Sequence, residues 1–154
     1  MQLKPLYTVR FNYPEAWDAT ITGAFGAEEE NFLLAEGRCE GGIAGRFRGA
    51  NHPRRRTDGT YLMNFQGFIE TEDEARLLFD YQGYGRAYGT PGRRQVVGTA
   101  RHYSEQEAYR RLNDVICVIV GEVRRPDPAP AVFRQGDIRL VFDVAELVWE
   151  KPTE

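Results

Sequence analysis

The side chains of this sequence able to do chemistry are two histidines, two cysteines and a set of amides, phenols and carboxylates within strand-like segments. His52 and His102 have unperturbed pKa values near neutrality. His52 sits in the loop-like stretch GANHPRRRTDG, residues 49–59, where functional groups concentrate, and is a candidate general acid/base at a barrel mouth. His102 ends a strand pattern beside Tyr103 and reads as a rim residue. Cys39 and Cys117 form no Cys-x-x-Cys and have no histidine nearby in sequence, so buried thiols in a reducing compartment are expected. The two histidines lack His-x-His or His-x-x-x-His spacing, and no metal site or cofactor is expected. Neither Gly-x-Ser-x-Gly nor Gly-x-x-x-x-Gly-Lys occurs, which removes the hydrolase elbow and the phosphate loop.

The most informative constellation lies on a hairpin. Residues 60–70 and 75–88 alternate as strands around the polar connection TEDE. Pairing Glu70 with Ala75 sets Phe68 opposite Leu77, Gln66 opposite Phe79 and Asn64 opposite Tyr81. A slip of one residue would flip every face. In this register one face gathers Leu62, Asn64, Gln66 and Phe68 with Leu77, Phe79 and Tyr81. Apolar walls with a few convergent polar groups are the make-up of a ligand pocket. Asn64, Gln66, Phe68 and Phe79 are therefore expected to bind ligand, and Tyr81 to be catalytic together with His52. The competing reading has the two amides bonding to each other on a wet outer face. Asp58 belongs to an Asp-Gly turn. Asp80, Glu122, Asp143 and Glu146 fall within strand patterns, where burial would raise a carboxyl pKa and make a base.

These groups need a scaffold, and 154 residues supply one domain, 1–154. Apolar residues at 42% and charged residues at 28% are ordinary globular usage, which excludes wholesale disorder. No charge-free run approaches the ~20 residues of a membrane span. No basic-then-apolar leader is visible, so a cytoplasmic location without a membrane partner is expected. A net charge of −3 argues against nucleic acid as a partner. The arginine clusters at 54–56, 93–94, 110–111 and 124–125 read as solvated rims.

Strand patterns dominate. In residues 3–13, Leu3, Tyr7, Val9, Phe11 and Tyr13 share one face. A turn at 14–18, a short strand at 19–25 and an acidic loop at 26–30 follow. Glycines inside the strand pattern 39–47 suggest bends or bulges. Further strands are predicted at 93–103, 115–123 and 138–149, and a proline-rich loop at 125–130. Ser104 with Glu107 fits the capping box of a short helix ending near Asn113. Eight to ten strands and one short helix predict an all-β, antiparallel, closed or nearly closed barrel, with a β-sandwich as the alternative. A barrel of about eight strands can hold a small ligand.

Five segments, in order, carry a resemblance: LKPLYTVRF (3–11), EGGIAGRFRGA (40–50), RTDGTYLMNFQGFIETEDEARLLFDYQG (56–83), LNDVICVIVGEVRR (112–125) and VFDVAELV (141–148). Together they resemble a family of small bacterial and fungal β-barrels of uncharacterised function, described as calycin-like or allene oxide cyclase-like. Asn64 and Gln66 stand where that family commonly has an acidic and then a basic residue. Gly49, Ala50, Asn51 and His52 stand at its Gly-Ala-Asp stretch. The resemblance implies an antiparallel homo-oligomeric barrel and no settled activity.

Three functions follow from such a barrel. One is a cofactor-independent isomerase, cyclase or lyase acting on an apolar metabolite in the lumen. The alternative is a non-catalytic carrier or sensor of a small hydrophobic molecule. The third is an interaction module with a filled lumen. The enzyme reading leads, because amides and a phenol inside a barrel cost stability unless used or paired.

Overall fold

The structure is a computed structural model that describes residues 1–131, 134 and 136–153. Nine strands follow one another: β1 (Gln2–Gly23), β2 (Gly26–Gly41), β3 (Gly45–Asn51), β4 (Arg54–Arg55), β5 (Tyr61–Thr71), β6 (Arg76–Ala87), β7 (Arg93–Tyr103), β8 (Cys117–Arg124) and β9 (Arg139–Val148). All pair antiparallel, and β9 returns to β1 while β1 also pairs β2, so the sheet closes in a ring. Closure removes the exposed edges of an open sheet. The two-residue β4 lies outside the ring order, stitched to β2 and β5.

Alternation fills the interior. Phe11, Phe47, Phe65, Phe79 and Phe142 are all 5% exposed or less. Their rings form a continuous cluster with neighbouring centroids 4.6 to 5.5 Å apart. Such contacts add to what burial alone contributes. Small residues let the strands bend around these rings. A Cβ on Gly67 would lie 2.1 Å from the carbonyl oxygen of Arg48 and 2.6 Å from Phe79, so only glycine fits there.

Three local expectations are corrected. The hairpin register is Glu70 opposite Arg76 and Phe65 opposite Tyr81, one residue away from the expected pairing. Thr71 belongs to the strand: its N–H donates to the Ala75 carbonyl at 2.9 Å, and its hydroxyl accepts the Ala75 N–H at 2.8 Å. The connection is Glu72–Ala75, shifted one residue along the chain, and Glu74 turns it at φ 66°. Asn64, Gln66 and Phe68 consequently face outward, while Phe65, Phe79 and Tyr81 face inward.

Residues 14–18 and 26–30 are not a turn and a loop but strand. β1 and β2 continue as a paired arm as far as Gly23 and Gly26, with a register shift between Asn12 and Glu15. The acidic run of the arm meets the basic run of residues 54–56: Arg54 pairs with Glu28, and Arg55 with Glu29 at 3.2 Å. These arginines are partners of the arm rather than independently solvated rims.

The capped helix does not form. Ser104 accepts the Gln106 N–H at 3.3 Å, and the Asn113 side chain bridges the Ser104 backbone. What remains is a 3-10 turn, Arg110–Asp114, whose Leu112 is buried in the core. One hydrogen bond to a nearby side chain competes with the helical ladder here.

Candidate functional site

Beneath the phenylalanine cluster lies a sealed polar chain. Tyr7, Tyr81 and His102 are 4%, 0% and 0% exposed. The Tyr7 hydroxyl contacts the Tyr81 hydroxyl and lies 2.7 Å from His102 Nε2, while His102 Nδ1 faces Cys117 Sγ at 3.9 Å. One assignment satisfies every atom: Tyr81 O–H donates to Tyr7, Tyr7 O–H donates to Nε2, and Nδ1–H points at sulfur. Burial lowers the His102 pKa to about 4 against an opposing pull from Glu146, so the ring is neutral at pH 7. Burial likewise pushes both phenols well above their ordinary value, and Cys39 and Cys117 to about 12 and about 11. Both thiols are free and buried. Nothing in this chain is ionised or open to a substrate.

Three of the carboxylates expected within strands, Asp80, Glu146 and Glu122, are held low. Burial alone would raise Asp80, but hydrogen bonds from Gln82, Gln66 and Arg101 hold it below the usual range. Arg111 grips Glu146 with two bonds of 2.7 and 3.0 Å, lowering its pKa. Tyr88 and Arg124 bring Glu122 to about 2. Thr8 donates to Asp143 at 2.6 Å. Among the described residues, no group of three or more His, Cys, Asp and Glu is placed to hold a metal ion.

The opposite end of the ring opens into a cavity of about 520 Å³. That volume suits a small organic ligand. Buried Met63, Val96, Leu140 and Phe142 give it an apolar lining. The arm supplies Ala16, Asp18, Glu29, Asn31 and Leu33. Neither Tyr81 nor His102 reaches it, because the phenylalanine cluster intervenes.

Two polar groups in this wall have hydrogen-bonding capacity to spare. Asn51 Oδ1 accepts the Asn64 backbone N–H at 3.3 Å, which fixes the amide's orientation. Its Nδ2 must then donate to the Tyr13 hydroxyl, 3.0 Å away. The Tyr13 oxygen is an acceptor in that bond, and its own proton has no acceptor among the described residues. Burial raises the Tyr13 pKa, only partly offset by Asn51, so the phenol keeps this proton at neutral pH. The second group is Asn31, 9% exposed, whose Nδ2 is buried without a partner although its backbone N–H is satisfied by Pro53. An unpaired buried donor costs about 1–3 kcal/mol, a cost a ligand acceptor would remove.

The mouth is basic. Arg94 is half-buried, stacks on Tyr61 with its guanidinium 4.5 Å from the ring centroid, and donates to the Gly59 carbonyl at 3.3 Å. Burial lowers its pKa; Tyr61 and Glu29 oppose this, and repulsion from Arg125 and Arg55 adds to it. Arg125 and Arg134 also line the cavity.

Placed against the sequence expectations, Phe79 and Tyr81 lie inside the barrel but in its packed part. Asn64 and Gln66 are exposed, with Gln66 Nε2 donating to Asn64 Oδ1 at 2.7 Å and to Asp80 Oδ1 at 3.2 Å. Phe68 is half-buried on the outer face, beneath the guanidiniums of Arg48 and Arg76 at 5.7 and 5.6 Å. His52 is at the cavity's end of the barrel but turned outward, its ring 3.5 Å from Glu30 and against Phe32. Sequence reasoning missed Asn31 and Arg94 as site residues. It placed Tyr13 on the buried face without assigning it chemistry. Asn51 carried one signal, its place in the GANH stretch that departs from the resembled family's pattern.

The fold recurs in solved structures. A β-barrel-like protein from Acinetobacter baumannii matches at a TM-score of 0.71 and 20% identity, over 94% of both chains. A protein of unknown function from Clostridium acetobutylicum matches at 0.75 and 11% identity, over 96% of this chain and 100% of that one. An enzyme from Penicillium herquei matches at 0.62 and 16% identity, over 93% of both. The chain thus has the fold of small bacterial β-barrel-like proteins and of a fungal enzyme. No protein-family model matches the sequence, and no curated protein does.

Proposed function

We propose that this protein is a cofactor-independent isomerase, cyclase or lyase that takes a small, largely apolar metabolite into the open end of the barrel. The observation that carries this reading is the Tyr13 hydroxyl. Asn51 occupies its acceptor side, so a neutral phenol offers its proton to the cavity. A fixed donor in a water-poor site stabilises negative charge developing on a substrate carbonyl oxygen, as an enolate forms or a ring closes. Asn31 offers a second donor in the same wall. Glu29, in that wall, supplies a carboxylate able to accept a proton, oriented by Arg55 at 3.2 Å. Moving a proton within one molecule requires no redox partner. The fold shared with a fungal enzyme is compatible with this reading.

The test is native mass spectrometry of protein purified gently from its source, followed by turnover of any co-purifying molecule. Conversion by the wild type, reduced about a hundredfold in Tyr13→Phe with the ligand still bound, is the expected result. A bound molecule returned unchanged would make the protein a carrier.

A further inference from the structure

Arg94 differs from its neighbours in the chain. Arg93, Arg101, Arg111 and Arg124 each pair with a carboxylate. Arg94 is half-buried in the cavity wall, and among the described residues no carboxylate lies within ion-pair distance of it. Taking a guanidinium partly out of water without a counter-charge is costly. Arg125, also half-buried, lines the same mouth, and the two like charges repel. The acidic groups of the mouth are Asp18, which is exposed, and Glu29, which Arg55 already engages. Tyr61 holds the Arg94 guanidinium in place by stacking on it. A fixed, planar, partly desolvated fork beside a second one matches the geometry of a bound oxyanion.

We propose that the cavity takes an amphipathic small molecule whose single carboxylate-type group lies between Arg94 and Arg125 at the mouth, and whose apolar body lies against Met63, Val96, Leu140 and Phe142. This rests on the cavity being the binding site, as in the proposed function, and adds the chemical class of its occupant. The body displaces water from the apolar walls. The head supplies the counter-charge that Arg94 lacks and eases its repulsion from Arg125. Asn31 Nδ2, buried in the same wall without a partner, is available to an acceptor partway along the molecule.

The experiment uses the neutral fluorophore N-phenyl-1-naphthylamine as reporter, displaced either by 1-naphthoate or by 1-naphthalenemethanol. The two competitors share a ring system and differ in charge. On the wild type, naphthoate displaces the reporter at a roughly tenfold lower concentration than the alcohol. Arg94→Gln and Arg125→Gln each bring the two to within about threefold, and Arg94→Lys restores part of the preference. Equal displacement on the wild type, or a preference that both glutamine variants retain, overturns the ligand class. Met63→Trp and Leu33→Trp separate that failure from failure of the site itself. If neither bulky variant weakens reporter binding, the reporter sits elsewhere and the cavity reading falls with the proposal.

Discussion

Removing the Tyr7 hydroxyl should cost far more than removing its neighbour's, although both rings are buried. In the chain Tyr81–Tyr7–His102, Tyr7 is the central member, accepting from Tyr81 and donating to His102 Nε2 at 2.7 Å. Tyr7→Phe leaves two buried groups without partners, the Tyr81 O–H and Nε2. At about 1–3 kcal/mol each, the loss is about 2–6 kcal/mol. Tyr81→Phe removes only the terminal donor and leaves the Tyr7–His102 bond intact, so it costs about 1 kcal/mol. Urea unfolding of both variants beside the wild type, with unchanged slopes, measures the difference through the midpoints. Neither variant should alter displacement of a cavity ligand, since the phenylalanine cluster separates the chain from the cavity. Equal losses, or a greater loss for Tyr81→Phe, would refute the ordering of the chain. A changed ligand affinity in either would return Tyr81 to the candidate site.

Phe79→Ala should destabilise by roughly 3–5 kcal/mol in the same assay, because the ring is 2% exposed and stacks on Phe47 at 4.6 Å; a loss below about 1 kcal/mol would contradict its place in the core. Gly67→Ala, whose Cβ would meet the Arg48 carbonyl at 2.1 Å, should lower stability by more than about 2 kcal/mol or prevent folding, whereas a silent change would mean the strands do not cross that closely. His102 is held neutral with its pKa lowered from 6.5 to about 4, so between these values the unfolded chain takes up a proton that the folded chain refuses. Its contribution is therefore intact above pH 6.5 and falls by roughly 3 kcal/mol as the pH drops to about 4. Subtracting the pH–stability curve of His102→Gln from that of the wild type isolates this slope from those of the carboxylates, and identical curves would contradict it.

The barrel was legible in the sequence because alternation and short polar connections are local signals. The strand at 93–103 coincides with β7, and the strand over 3–13 with the inward row Tyr7, Val9 and Phe11. What failed was finer. The 60–88 hairpin turned on whether Thr71 belongs to strand or loop, and that one residue sent Asn64 and Gln66 outside. A four-residue polar string carries no signal that Glu74 will take a positive φ. The arm was hidden because an acidic run looks like a loop until the basic run at residues 54–56 is set beside it. The site was the least legible part. Asn31, Asn51, Tyr13 and Arg94 come from four strands, and only ring closure brings them to one cavity.

Binding of a small molecule at the open end of the ring can be tested directly through the chain's two methionines. Met63 lines the cavity and is 7% exposed, while Met1 is 91% exposed at the terminus. With carbon-13 in the methionine methyl groups, N-phenyl-1-naphthylamine should move the Met63 signal saturably, at the same midpoint as the rise in fluorescence, and leave Met1 in place. Fluorescence that rises while the Met63 methyl stays still would put the probe on the outer surface and contradict the account.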